Sequence, residues 1–276
     1  MSYQQNYRPT GFSILPPVVK NILIINGILF LATAAFGARY NIDLNERLGL
    51  HYPTSSKFEW YQFLTYMFMH AKISEGGIMH IFFNMYAVWM FGSVLENYWG
   101  PKRFLIFYIV TGLGAALIQT LYTGYQIHAL DAVIANPDAE GYLKWMSKYY
   151  TGTGIREMFD ELKKIPQQNG ILTAAANDLS KLRMDMADIT TVGASGAVFG
   201  LLLAFGMLFP NTELMILFFP IPIKAKIFVI IYGAVELFSG VAQTQGDNIA
   251  HFAHLGGMLF GFVLIKLWQK NRKFFY

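Results

Sequence analysis

The stretch VGASGAVFGLLLAFGMLF, residues 192–209, decides the fold. It is an apolar run close to the roughly 20 residues that a helix needs to cross the hydrocarbon core of a bilayer. Its start carries a hydroxyl, Ser195, with Gly193 and Gly196 beside it. Lipid gives no reason for a serine there, and glycine weakens a helix. A buried nucleophile would explain both features.

The composition of the chain points to a membrane protein. Of its 276 residues, 54% are hydrophobic and 14% are charged, which is too apolar a balance for an ordinary soluble domain. The net charge of +4 comes without any block of Lys/Arg, so nothing suggests a nucleic-acid partner. The absence of cysteine excludes disulfides, thiolate nucleophiles and Cys-ligated metals.

Six windows are long and apolar enough to be membrane spans. The predicted fold class is therefore an all-α polytopic membrane protein with six transmembrane helices. The first apolar window shows no cleavage site after it and is interpreted as an uncleaved anchor. The windows are Val18–Ala38, Ile78–Asn97, Phe104–Tyr122, Val192–Phe209, Lys226–Val241 and Ile249–Trp268.

The basic residues predict the orientation. With the N-terminus in the cytoplasm, the inner connections hold an excess of Lys/Arg, as the positive-inside rule requires. Both termini are then cytoplasmic. The expected organisation is an N-terminal tail (1–17), helices 1–3 with the first outer loop (18–125), an outer insertion (126–190), helices 4–6 (191–268) and a C-terminal tail (269–276).

The connection Gln126–Thr190 is too long and polar for a plain loop in a compact bundle. Two apolar patterns at helical spacing indicate a small helical insertion on the outer face, between helices 3 and 4. Its role stays open between gating, partner binding, substrate docking and a passive surface excursion. The patterns run through Ile155, Met158, Phe159 and Leu162, after Thr153 as a helix cap, and through Leu172, Ala175, Ala176, Leu179 and Leu182.

Four polar side chains lie inside apolar windows, where polar groups are costly unless they are paired or hydrated. His80 and Asn84 are four residues apart and share one helix face. Ser195 lies in the first turn of its helix, where backbone N–H groups lack helical partners and could hold an oxyanion. His254 lies in the first turns of the sixth helix.

Small residues could bring the serine and the histidine together. Gly196 and Gly200 form one GxxxG step, and Gly257 and Gly261 form another, a pattern that lets helices approach closely. A serine activated by a histidine base would result. The competing interpretation is structural: GxxxG steps usually serve packing, and a membrane serine usually bonds to its own helix.

Other ionisable residues are weighed against a role in the site. His251, one turn before His254, could suggest a metal, but no HExxH motif or third ligand accompanies it in the sequence, so no metal is predicted. Asp247 could orient His254 but is better explained as a residue of a solvated turn. Glu236, a charge within the fifth span, would normally indicate a functional residue, and a structural hydrogen bond or snorkelling near the outer end of that helix is weighed equally.

Three blocks in this order resemble the rhomboid family of intramembrane serine proteases. They are His80-Ile-Phe-Phe-Asn84 followed by Trp89, Gly92 and Glu96; Gly193-Ala-Ser195-Gly196-Ala-Val-Phe199-Gly200; and Ala253-His254-Leu255-Gly256-Gly257 running to Gly261. The resemblance covers roughly residues 15–125 and 190–268, but not the outer insertion. Each block is weakly specific, whereas three in order on the expected spans are strongly specific.

The resemblance implies a rhomboid-like bundle and a Ser–His dyad without a third acidic member. Ser195 would be the nucleophile and His254 the base, with an oxyanion hole from Ser195 N–H, His80 and Asn84. Phe199 would pack on the His254 ring, and Gly193, Gly196 and Gly257 would shape the site. No cofactor is implied.

The resemblance also implies substrates and a location. Substrates would be single-pass membrane proteins in the lipid bilayer, here in a bacterial inner membrane. The alternatives are a non-catalytic rhomboid-like protein that binds membrane clients and, more remotely, a transporter. The chain departs from the family in an extra stretch, Ala71 to Gly77, and in Tyr61-Gln62 where many members carry Trp-Arg.

Overall fold

The computed structural model describes residues 11–135, 139–149, 169–216, 219–242 and 250–270. Helices dominate these residues. They are α1 (Pro17–Tyr40), α2 (Leu44–Leu48), α3 (Gln62–Thr65), α4 (Gly77–Trp99, with a π-helical turn at Val88–Gly92), α5 (Pro101–Ala135), α6 (Ala139–Tyr149), α7 (Asn169–Asp188), α8 (Ser195–Leu208), α9 (Ala225–Ala242) and α10 (His251–Lys270).

Five described helices, α1, α4, α5, α9 and α10, are long and apolar enough to cross a membrane. The predicted class, a helical multi-pass integral membrane protein, is confirmed. The remaining apolar helix, α8, has 14 residues. At 1.5 Å per residue it is about 21 Å long, against a hydrocarbon core of about 30 Å. The sixth span therefore stays a prediction.

The start of α8 is set by Gly193. Its φ of 130° is a backbone conformation that side chains with a Cβ rarely adopt. Its N–H donates to the carbonyl of Tyr66 at 3.0 Å, and Tyr66 is fixed in turn by its hydroxyl, which donates to the Gly112 carbonyl at 2.7 Å. The segment before α8 is consequently anchored to the bundle at Gly193, two residues before the helix begins at Ser195.

The helix α8 packs closely against α10 through its glycines. A Cβ on Gly257 would collide with the carbonyl oxygen of Gly196, and one on Gly261 would reach 3.4 Å from the Cα of Gly200. A Cβ on Gly200 would also lie 2.6 Å from the side chain of Thr111 on α5. Backbones at this separation fix the rotation and depth of α10 relative to α8.

A buried carboxylate fixes the first helix. Glu96 on α4 is 2% exposed and accepts hydrogen bonds from Val18 N–H at 3.0 Å and Val19 N–H at 2.8 Å. These donors belong to the first turn of α1, which has no helical acceptors and carries the positive end of the helix dipole. Glu96 therefore serves as a helix cap supplied from another span.

Two features differ from the sequence-based expectation. The helix α5 runs without a break through the expected boundary at 125–126 to Ala135, because Ile127 and Leu130 bury their side chains against the insertion. An antiparallel β-hairpin, β1 (Glu213–Ile216) and β2 (Phe219–Lys224), follows α8 and is an element that the sequence analysis does not predict. Extended backbone suits the prolines of β2, which cannot continue a helix.

The outer insertion has a small core of its own within the described residues. The end of α5 packs with α6 and α7, and α7 covers the second apolar pattern, Leu172 to Leu182. The first pattern, with its cap Thr153, lies outside the described residues. The buried members of this core are Ile127, Leu130, Tyr142, Trp145, Leu179, Leu182, Met186 and Ala187.

The end of the insertion is tied to the first outer loop. Leu50 and Thr191 form an antiparallel bridge, and Tyr52 N–H donates to the carbonyl of Ala187 at 3.1 Å. The hydroxyl of Ser55 donates to Asp188 at 2.6 Å. The segment leading to Ser195 is thus positioned by the same loop that contributes Tyr66.

Candidate active site

The structure brings Ser195 and His254 together across two helices. Ser195 is the first residue of α8, and His254 lies in the first turn of α10. The Oγ of Ser195 is 2.8 Å from Nε2 of His254, a hydrogen-bonding distance that suits a nucleophile and its base. The pair is 59 residues apart in sequence, and the glycine contacts between the helices make the approach possible.

A ladder of aromatic rings fixes the plane of the histidine. Phe199 stacks on His254 with centroids 4.1 Å apart and planes 9° from parallel. Tyr232 covers the other face of Phe199 at 5.2 Å, and Phe228 stacks on Tyr232 at 5.5 Å. Rotation of the imidazole would break these contacts, so Nε2 is held toward the serine.

The other ring nitrogen of His254 faces a carboxylate. Nδ1 of His254 is 2.9 Å from Oε2 of Glu236, and Nδ1 of His251 is 2.6 Å from the same oxygen. Glu236 is buried at 6% exposure. Tyr232 and Glu236 are one turn apart on α9, so a single helix face supplies both the aromatic cover and the carboxylate.

The structure supplies the third donor that the sequence lacked for a metal. Donor atoms of Glu236, His251 and His254 all lie within 4.8 Å of one another, and a His₂Glu set can hold zinc. Tetrahedral zinc with bonds of about 2.0–2.1 Å would separate its ligands by about 3.3 Å. The two Nδ1–Oε2 distances are shorter, 2.6 and 2.9 Å, so the geometry is that of a hydrogen-bonded cluster.

Backbone donors surround the serine at the start of α8. The first helical bond there runs from Val198 N–H to the Ala194 carbonyl at 3.0 Å. The N–H groups at positions 195–197 therefore precede the helical ladder, at the positive end of the dipole. Such groups stabilise an oxyanion formed beside Ser195.

The ring of His80 adds a side-chain donor. A Cβ placed on Gly193 would be 3.1 Å from Nε2 of His80 and 3.5 Å from Ser195 Oγ, so these two groups flank Gly193. The N–H of Ala71, within the extra stretch 71–77, donates to His80 Nδ1 at 3.4 Å. This bond leaves the ring proton on Nε2, the nitrogen beside Gly193.

Asn84 occupies the same wall of the site. It is 6% exposed and donates through Nδ2 to the backbone carbonyl of His80 at 2.8 Å. Within the described residues, no hydrogen bond joins it to Ser195. Its side chain lines the same cavity as Ser195 and His254.

A cavity of about 1700 Å³ gives access to these groups. Polar residues of the outer loops line one part of it, including Asp43, Glu46 and Lys72. Apolar residues of α4 and α9, such as Met90 and Phe228, line another. His80, Asn84, Ser195, Phe199 and His254 all line it, so the site opens on a cavity that has both polar and apolar lining.

His70, in the loop that precedes α4, has a strongly lowered pKa. Burial of His70, together with the neighbouring His80, lowers the pKa of His70 from 6.5 to about 3. The two rings meet edge to face with centroids 5.2 Å apart. His70 is consequently neutral at physiological pH and packs as an aromatic ring against His80.

Sequence reasoning left Glu236 and Tyr232 outside the site. The available signals were a carboxylate inside an apolar span and its i, i+4 relation to Tyr232. The structure places Glu236 in a hydrogen bond with His254, and a hydrogen-bonding role is among the interpretations weighed from the sequence. Asp247 lies outside the described residues.

Comparison with known proteins agrees with the architecture. A family model described as a Rhomboid domain matches residues 57–130 and 168–270, more than half of the chain. Rhomboid protease GluP of Bacillus subtilis (strain 168) is 31% identical over 126 residues, which cover 44% of this chain and 22% of that protein. Rhomboid protease GlpG of Salmonella choleraesuis (strain SC-B67) is 25% identical over 120 residues, covering 43% of this chain and 40% of that protein. The chain thus spans less than half the length of either relative.

Proposed function

This chain belongs to the rhomboid family, and from that premise we propose that it is an intramembrane serine endopeptidase. The observation that carries the proposal is the hydrogen bond of 2.8 Å between Ser195 Oγ and His254 Nε2. Both relatives are named rhomboid proteases, and the serine and histidine that such chemistry needs are both present here.

In the proposed mechanism His254 moves a proton twice. Its Nε2 takes the proton of Ser195 Oγ as that oxygen attacks the carbonyl carbon of the scissile peptide. The same proton then passes to the leaving amine, which departs and leaves an acyl ester on Ser195. Water attacks the ester with His254 again as base, and the acid product and free serine result.

The negative oxygen formed in each step is stabilised by fixed donors. Backbone N–H groups at the start of α8 and Nε2–H of His80 surround the position beside Ser195, and Asn84 adds its amide. Because these donors are held by the helix start, Gly193 and Ala71, little reorganisation accompanies the reaction. Loss of a single donor of this kind costs roughly 10²–10³-fold in kcat.

The cavity supports a membrane-embedded substrate. Its apolar part between α4 and α9 accepts a chain from the lipid side, and its polar mouth supplies the water that deacylation consumes. We propose transmembrane segments of single-pass proteins as the substrates, and a bacterial inner membrane with both termini cytoplasmic as the location.

The decisive experiment compares purified wild-type protein with Ser195→Ala and His254→Ala on a model transmembrane substrate in proteoliposomes. Both variants should lose at least about 10³-fold in kcat, and only wild type should bind a fluorophosphonate probe at Ser195. Full cleavage by Ser195→Ala would refute the assignment. Folded wild type that neither cleaves nor reacts would instead indicate the non-catalytic alternative.

A further inference from the structure

Glu236 has the geometry of a third member of the catalytic group. Its Oε2 is 2.9 Å from Nδ1 of His254, whose Nε2 is 2.8 Å from Ser195 Oγ. We propose that Glu236 is a positioning residue that orients His254 and stabilises its protonated form, with His251 holding the carboxylate in place. The inference rests on the proposed protease function and extends the Ser–His dyad to a hydrogen-bonded Ser–His–Glu group.

The tautomer follows from the donors and acceptors present. An ionised carboxylate can only accept hydrogen bonds, so the proton of neutral His254 must lie on Nδ1 when it bonds to Glu236. The lone pair then lies on Nε2, where it accepts from the hydroxyl of Ser195. Without the carboxylate, the ring could place its proton on Nε2 and lose its function as a base.

The carboxylate also matches the charge that the reaction creates. When His254 takes the serine proton, an imidazolium forms at a position that is 7% exposed. A nearby anion offsets the cost of a buried cation, because charges interact strongly where water is scarce. No proton needs to pass to Glu236, and its role is electrostatic and orienting.

His251 helps to compensate the burial of the Glu236 carboxylate. Its Nδ1 is 2.6 Å from the same Oε2, so Glu236 receives two N–H donors, as a buried carboxylate requires. His251 precedes His254 by one turn of α10, and both rings therefore approach α9 from one side.

Several titratable groups face His254 and bear on the pH dependence. His80 on α4 interacts with it electrostatically, whereas α5 meets this part of α10 through apolar Ala115 and Ile118 and through Tyr122, which stacks on Phe252 rather than on His254. Within the described residues, which exclude 243–249, the remaining groups near His254 are Ser195 on α8, Tyr232 and Glu236 on α9, and His251 on α10 itself. Among these, Glu236 is the anion in direct contact with the ring.

The test measures kcat, KM and the pH profile of Glu236→Gln with a transmembrane substrate in proteoliposomes. Glutamine preserves shape but removes the charge. The kcat should fall about 10²-fold, a value between the 10–100-fold effects of residues that orient metal ligands and the larger effects of the carboxylate in soluble triads, while KM stays unchanged. Since the anion favours protonated His254, its removal should move the acid limb of the profile to lower pH. Glu236→Asp, which keeps the charge, should recover part of kcat and the wild-type limb.

Glu96→Gln is the matched control, because Glu96 is an equally buried carboxylate that caps α1. It should lower thermal stability and leave the pH limb in place. Wild-type kcat and pH profile in Glu236→Gln would overturn the positioning role while leaving the protease assignment intact. Loss of activity on treatment with a chelator would also overturn it, in favour of a metal.

A readout independent of cleavage separates this inference from the proposed function. Protein labelled with ¹⁵N-histidine should show a downfield N–H resonance for the His254–Glu236 bond. The resonance should persist in Ser195→Ala and in His251→Phe, and disappear in Glu236→Gln. Its persistence in Glu236→Gln would overturn the contact even in a protein that cleaved nothing.

Discussion

At the scale of single residues, Glu96 and the polar groups of the proposed site are compensated by groups from other helices. Glu96 receives two backbone N–H groups, Glu236 receives two imidazoles, and Ser195 receives one. Each compensation involves a group from a different helix. These three residues therefore mark contacts between helices. Their hydrogen bonds offset the free-energy cost of burying polar and charged groups.

His70 makes a prediction at this scale. Because its pKa is about 3 in the folded protein and about 6.5 when unfolded, only the unfolded chain gains a proton between these values. Its burial in the neutral form adds no pH-dependent cost above pH 6.5 and destabilises the fold progressively as the pH falls toward 3. His70→Phe should therefore lose less thermal stability than wild type between pH 7 and pH 5, measured by unfolding in detergent.

The control for His70 is His128→Phe, since His128 is exposed. This variant should keep the pH dependence of wild type. An unchanged slope in His70→Phe would show that other groups, rather than this buried ring, cause the acid destabilisation.

At the scale of elements, the close contact between α8 and α10 determines whether Ser195 and His254 can meet. Side chains would hold the two helices apart, whereas Gly196 and Gly257 allow the backbones to touch. The short length of α8 matters equally, because a helix that begins at Ser195 leaves its free N–H groups inside the protein. A helix that began several residues earlier would satisfy those groups and remove the proposed oxyanion donors.

Gly257→Ala tests this contact. Its Cβ would collide with the Gly196 carbonyl, and the resulting shift should cost about 1–3 kcal/mol of stability and separate His254 from Ser195. We expect kcat to fall more than tenfold, together with a lower unfolding temperature.

The matched control is Gly27→Ala on α1, where a Cβ would meet nothing within 4 Å. Alanine favours the helix there by up to about 1 kcal/mol, so activity should persist and stability should stay equal or rise. Wild-type activity in Gly257→Ala would contradict the close-approach argument.

At the scale of the whole molecule, the described residues form two apolar clusters, one in the bundle and one in the outer insertion. The helix α5 extends from the first into the second. The insertion returns to the bundle through contacts with the first outer loop, directly before Ser195. The insertion is therefore directly connected to the segment that leads to Ser195.

The proposed topology is testable because the chain has no cysteine. Lys57→Cys in the first outer loop should react with a membrane-impermeant maleimide on intact bacteria, whereas Lys224→Cys in the β-hairpin should react only after lysis. Both positions are exposed. Labelling of Lys224→Cys on intact cells would mean that α8 does not complete a crossing, and the six-span topology would be wrong.

The sequence by itself determined the membrane class, the positions of the apolar spans and the residues proposed for the dyad. These properties depend on local composition and on spacing along one helix, which a single chain displays directly. The extension of α5 was missed because a polar helix that ends in a second small core lacks the uniform apolar signal of a span.

Only the tertiary structure decided which polar groups meet. Whether Glu236 faces lipid, solvent or His254 depends on the rotation and depth of α9 against α10, and these are set by packing between helices rather than by spacing within either one. The same holds for Ala71 against His80 and for Gly193 against Tyr66. Ser195 could be singled out from the sequence alone, whereas the contact of Glu236 with His254 could be identified only from the folded structure.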